Sequence, residues 1–215
     1  MRFCATARTT GVSAMDILFL AMVIAMAWQL LKARYQGRRV ALLGEHLSQF
    51  QIEKLMETLT QGYLRALGEA DAERREQIWS MLGTAEASLS EQFNRFAANF
   101  ARVDALQTRV SKLPVALPYA DQLFPGATLD LRALMQVHAK GIEAAVRNDT
   151  ARSPRDKAFT LLAELFLMQH TCHWFCKSKT VATARMLGRH QTSHEQLIAS
   201  VSPATRKAYC ALIGC

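Results

Sequence analysis

The sequence predicts an all-α protein: a single N-terminal transmembrane helix followed by a cytoplasmic helical bundle with a long helical hairpin. Three observations carry this expectation. The run from Ile17 to Leu31, ILFLAMVIAMAWQLL, has one polar interruption, Gln29, and is followed at once by Lys32, Arg34, Arg38 and Arg39. Apolar residues then recur at three- and four-residue steps through most of the chain, the period of a helix face. Hydroxyl or carboxylate side chains stand where several of these periods begin, as helix caps do.

A spanning helix needs about 20 predominantly apolar residues, and the transmembrane helix is assigned to residues 15–34. Asp16 lies near one end, where it reaches the headgroups; at mid-bilayer an acid costs roughly 2.5–3.5 kcal/mol on insertion scales. Trp28 lies near the other end, where an indole suits the interface. The four basic residues after it outnumber Arg2 and Arg8 before it, which places residues 40–215 in the cytoplasm. A bacterial inner membrane suits this compact chain. Two alternatives compete with an anchor. A cleaved signal peptide ending at Ala25-Met26-Ala27 is disfavoured by Asp16 and by a basic cluster lying beyond the cut. A buried core helix is disfavoured by the basic edge. Residues 1–14 form a short N-terminal segment without a role if translation starts at Met15.

From Val40 to about Leu67, the residues Leu43, Leu47, Phe50, Leu55, Leu59 and Tyr63 lie on one helix face, and Gly37 and Gly44 predict a bend where this helix joins the anchor. Gly68 marks its end and Asp71 the next cap. The second helix is expected to run from there to Val110, because Leu82, Leu89, Phe96, Val103 and Val110 fall seven apart. Residues 40–112 then make a long helical hairpin, favoured over a coiled-coil dimer because Phe93, Phe96 and Phe100 are bulky for a two-stranded seam.

Pro114, Pro118, Pro125 and Gly126 make 113–128 a linker, and residues 129–215 complete the bundle. Asp130 or Thr128 caps a third helix to Val146. Ser153-Pro154-Arg155-Asp156 starts a fourth, which is apolar on nearly every side and therefore central. Two short helices follow, near Val181–Leu187 and from Ser202-Pro203 to Gly214.

The net charge of +8 is uneven. Residues 1–39 hold six basic and one acidic residue, and 152–215 hold nine and three, so these two segments contain all of the excess. Topology accounts for the first. For the second, Lys177, Lys179, Arg185 and Arg189 are candidates for contact with anionic lipid, each basic group near a membrane surface being worth about 1 kcal/mol. No Lys/Arg block with interleaved aromatics is present, so nucleic acid is not favoured as a partner. Cys4, Cys172, Cys176, Cys210 and Cys215 are too few and odd for a disulfide framework, and reduced thiols are expected.

The densest chemistry is His170, Cys172, His173 and Cys176. Cys172, His173 and Cys176 share one helix face and His170 flanks it, a donor set of the kind zinc, iron or haem uses. The spacing matches neither a zinc finger nor Cys-x-x-Cys-His, so no cofactor is expected. His190 and His194 lack the glutamate of a metalloprotease helix and are expected on the surface at a helix start. Glu164, alone in an apolar helix, needs a partner, for which Lys140 or His138 is the candidate. Nucleophile elbow, phosphate loop and dinucleotide fingerprint are all absent, so an enzyme ranks third. The function expected first is interaction or scaffolding at the cytoplasmic face, through a protein partner or self-association along Leu82–Val110. A membrane-anchored sensor of metal, haem or another small ligand near His170–Cys176 ranks second.

Overall fold

The computed structural model describes residues 13–115 and 117–215 and is all-α apart from one small two-stranded sheet. Helix α1, Ala14–Leu47, is a single helix of 34 residues, about 51 Å long at about 1.5 Å per residue. Ser13 and Asp16 close a capping box at its start. It is the one helix, among the described residues, long and apolar enough to span a membrane. Every residue from Ser13 to Leu31 is exposed, whereas Leu43 is buried against the bundle. The helix is uninterrupted at Gly37 and Gly44, where a bend is expected. Both glycines stand in open space, and the packing of the helix's second half outweighs their propensity cost. The chain turns instead at Ser48–Gln51, where the Phe50 ring packs edge-on to Phe96 at 6.2 Å.

Helices α2, Ile52–Gly68, and α3, Ala72–Phe100, form the expected hairpin, with Asp71 capping α3. Leu59, Tyr63, Leu82, Leu89, Phe93, Phe96 and Phe100 meet inside it. Leu82, Leu89, Phe96 and Val110 of the seven-residue stripe are thus buried within the chain. Helix α3 also stops ten residues earlier than its periodicity implies: Val103 follows it in a turn, and Val110 sits in β1, Arg109–Ser111, which pairs antiparallel with β2, Thr128–Asp130. Val110 is buried in either conformation, which is why the period continues through the break.

Between the strands the linker carries a short helix, α4, Ala120–Leu123, and a 3-10 turn, Pro125–Ala127. Helix α5, Leu131–Arg147, is capped by Asp130 and ends on Asn148 in the left-handed region. Helix α6, Pro154–Cys176, starts at the Ser153 cap and is the centre of the domain, touching α1, α2, α5, α7 and α8. Three short helices complete the bundle where two are expected: α7, Lys179–His190, α8, His194–Ser200, and α9, Pro203–Ile213. The seven-residue α8 is too short to show a period; only its Ser193/Gln196 capping box marks it.

Candidate anchoring junction and buried histidine network

The exposed half of α1 meets the bundle at Arg39. This side chain points inward rather than to solvent, its side chain 11% exposed. Its guanidinium donates to the carbonyls of Phe175 (3.1 Å) and Arg109 (2.5 Å) and lies 3.8 Å from the Asp121 carboxylate. It also stacks over the rings of Tyr35 (4.4 Å) and Phe175 (4.9 Å). Tyr35 donates to Asp121, and its ring lies 5.2 Å from that of Tyr119. One arginine therefore ties α1 to α6, β1 and the linker, the planar multi-donor geometry that lysine cannot reproduce. Next to it Lys177 Nζ donates to Gln36 Oε1 at 3.1 Å.

Helix α6 runs antiparallel to α1 here, so its C-terminal end lies at the foot of the exposed half. Lys177 and Lys179 are both at this end, the latter 5.3 Å above the Trp174 ring. The other candidate cations diverge. Arg185 and Arg189 are exposed on α7, which runs back along α6, and they line a cavity of about 430 Å³ with Gln169, His173 and His190. Of the anchor's basic edge, Arg34 and Arg38 are exposed, Lys32 is half-buried, and Arg39 is the internal clamp just described.

The His170–Cys176 cluster is divided between two sides of α6. Cys172, His173 and Cys176 share a groove with Val40, Leu43, Leu47 and Met56. Burial pushes the Cys176 thiol up to about 11 and the Cys172 thiol up as well, so both are inert thiols at neutral pH. His170 lies toward α7 and α8, its Nε2 3.1 Å from Thr183 Oγ1 and its ring stacked on His194. Among the described residues no three His, Cys, Asp or Glu side chains converge as metal ligands would.

What sequence reasoning missed is a histidine network in the core. His170 stacks on His194 at 4.0 Å; His194 Nε2 is 3.2 Å from the Tyr209 hydroxyl; Tyr209 reaches Thr171 at 3.5 Å; and Thr171 lies 2.9 Å from His138 Nε2. His194 is buried, not a surface residue. Its position is set by Tyr209, fifteen residues away, which no local pattern shows. Burial holds His138 and His170 down to about 3 and His194 to about 4. All three are therefore neutral at physiological pH.

Glu164 is fully buried, and its partner is neither Lys140 nor His138. It accepts from the Ser202 backbone N–H at 3.0 Å, at the start of α9. Gly141 on α5 gives it room: a Cβ there would overlap Glu164 and Thr205. A second buried carboxylate, Glu86 on α3, accepts from Tyr63 and pairs with Lys157. Each carboxylate joins helices distant in sequence. Cys210 and Cys215 are joined in a disulfide, against the expectation of reduced thiols. The left-handed Gly214 at the end of α9 folds the chain back, leaving the two Cα atoms 4.8 Å apart.

No family model, curated protein or solved structure matches this chain.

Proposed function

We propose that the protein is a single-pass membrane protein whose helical bundle is held at the bilayer surface and acts there as an interaction or scaffold module. The observation that carries this reading is the division of α1: nineteen apolar-rich exposed positions, 13–31, continue without a break into a segment clamped by Arg39. A soluble protein gains nothing from leaving Ile17, Leu18, Phe19, Leu20 and Ile24 in water, each more than half exposed.

Arg34 and Arg38, with Lys32, favour a cytoplasmic bundle in a bacterial inner membrane by the positive-inside rule. The Cys210–Cys215 disulfide pulls the other way, since such bonds persist in oxidising compartments. The charge bias acts during insertion and decides orientation, so the cytoplasmic side is favoured. Lys177 and Lys179, at the foot of α1, are positioned for anionic headgroups; Arg185 and Arg189 lie farther along α7 and face a protein or soluble partner.

The test is expression of the full chain with a C-terminal reporter, followed by carbonate extraction of membranes and chemical crosslinking. Retention in the carbonate-washed membrane, cytoplasmic reporter activity and a crosslinked partner or dimer are expected. Release into the carbonate supernatant overturns the anchor, and activity confined to the periplasm reverses the orientation.

A further inference from the structure

We propose that the linker joining β1 to β2 is an interfacial insertion loop, in which Val115, Leu123 and Phe124 enter the headgroup–acyl boundary beside the foot of α1. This rests on the reading of α1 as a membrane span. The three side chains are 64%, 64% and 51% exposed. Isolated exposed apolar residues are ordinary on protein surfaces. These three, however, lie on one linker that the fold holds against the point where the exposed half of α1 begins.

The attachment is specific. Asp121, two residues before Leu123, accepts from Tyr35 and pairs with Arg39. Pro114, the neighbour of Val115, accepts from both the backbone N–H and the hydroxyl of Thr180. Tyr35 is only one helical turn beyond Leu31, the last residue of the apolar run. The loop is thereby fixed within about a turn of the level at which α1 leaves a bilayer.

Charge and length point the same way. Between Lys112 and Ala127 the sole acidic residue is Asp121, which is buried on Tyr35 and Arg39, so the loop turns no exposed carboxylate toward an anionic surface. Arg38 lines one groove with Asp121 and Gln122, Lys112 opens the loop, and Lys177 and Lys179 lie at the end of α6 that meets α1; basic groups beside apolar side chains are how interfacial segments bind. The apolar part of α1, residues 14–31, covers about 27 Å, against a hydrocarbon core of about 30 Å. Residues 32–34 complete the span, which puts its inner end one residue before Tyr35 and the loop held on Tyr35 at the boundary. Anchor and loop together make a two-point attachment.

The experiment uses the full chain in nanodiscs of phosphatidylglycerol and phosphatidylcholine, with and without lipids brominated along the acyl chain. Native Trp28 reports on the span, through the difference between the parent and W28F. Phe124→Trp and, separately, Val115→Trp report on the loop; both positions are exposed, so neither change disturbs packing. The expected result is that the added Trp emission is blue-shifted and lost with bromines at shallow acyl positions, and lost less with deep ones. Water-like emission unaffected by bromine at both loop positions, with Trp28 quenched, overturns the loop while leaving the span intact. Unquenched Trp28 overturns the span itself and with it the basis of the loop.

Discussion

Arg39 shows how little a residue's type says about its direction. In the sequence it is the last member of a basic edge, equivalent to Arg38; in the fold it is a buried strut. Arg39→Met keeps the apolar stem but leaves the carbonyls of Phe175 and Arg109 and the Asp121 carboxylate without their donor. The expected loss is about 3–5 kcal/mol in chemical denaturation of the full chain in mild detergent, as for breaking other buried charge pairs. An equal loss from Arg38→Met, at the exposed position, would remove the distinction drawn between the two. Gly141 and Gly83 make a similar contrast. A Cβ at Gly141 overlaps Glu164 and Thr205, so Gly141→Ala should cost about 1–3 kcal/mol or more through overpacking. Gly83 has nothing within 4 Å and sits inside α3, so Gly83→Ala should stabilise by up to about 1 kcal/mol in the same chemical denaturation.

At the scale of elements, the histidine network ties α5, α6, α7, α8 and α9 into one unit, and its chemistry makes that unit acid-sensitive. His138, His170 and His194 are held below their ordinary values, chiefly by burial. Below about pH 6.5 the unfolded chain takes up these protons while the folded chain does not. Their contribution to stability is therefore complete above that pH and falls as pH drops, by about 1.4 kcal/mol per pH unit for each histidine, until their folded values near 3 and 4 are reached. Glu164 acts in the opposite sense, because burial raises it and acid relieves that cost. Three groups outweigh one, so the urea midpoint should hold near pH 7 and drop from about pH 6.5 to pH 5. A midpoint independent of pH across that range would contradict the network's burial, and His138→Gln should remove part of the slope.

The helix starts were legible because a cap acts locally: Ser153-Pro154 and Asp130 open α6 and α5 where the sequence places them. The end of α3 was not, since Val103 and Val110 keep a helical spacing while one packs from a turn and the other from a strand. Burial, not helicity, was what the seven-residue spacing recorded. The His170–Cys176 cluster was legible in part: Cys172, His173 and Cys176 share a groove, as their common face implies, while His170 on the adjacent edge turns to α7 and α8. The side of α6 that each residue takes depends on α7, α8 and α1, contacts thirteen to more than one hundred residues away in sequence.

For the whole molecule, the two basic segments that appear unrelated in the sequence meet where Lys177 reaches Gln36. On the proposed reading this gathers cationic groups at the end facing the bilayer and leaves the acid-rich α2–α3 hairpin directed outward to partners. Association of the full chain's bundle with the surface should then depend on lipid charge. In nanodiscs, replacing phosphatidylglycerol by phosphatidylcholine should increase the tumbling of a fluorophore attached to α3, and Lys177→Glu with Lys179→Glu should do the same without releasing α1. Tumbling indifferent to both changes would confine the membrane contact to the anchor.

Because α1 passes from exposed to clamped as one uninterrupted helix, the bundle's azimuth about the helix axis is fixed as well as its distance. One alanine inserted between Ala33 and Arg34 would turn everything beyond it by about 100° and move it by about 1.5 Å. On the proposed reading the domain is keyed to its anchor, and any partner in the same membrane meets one chosen face of it.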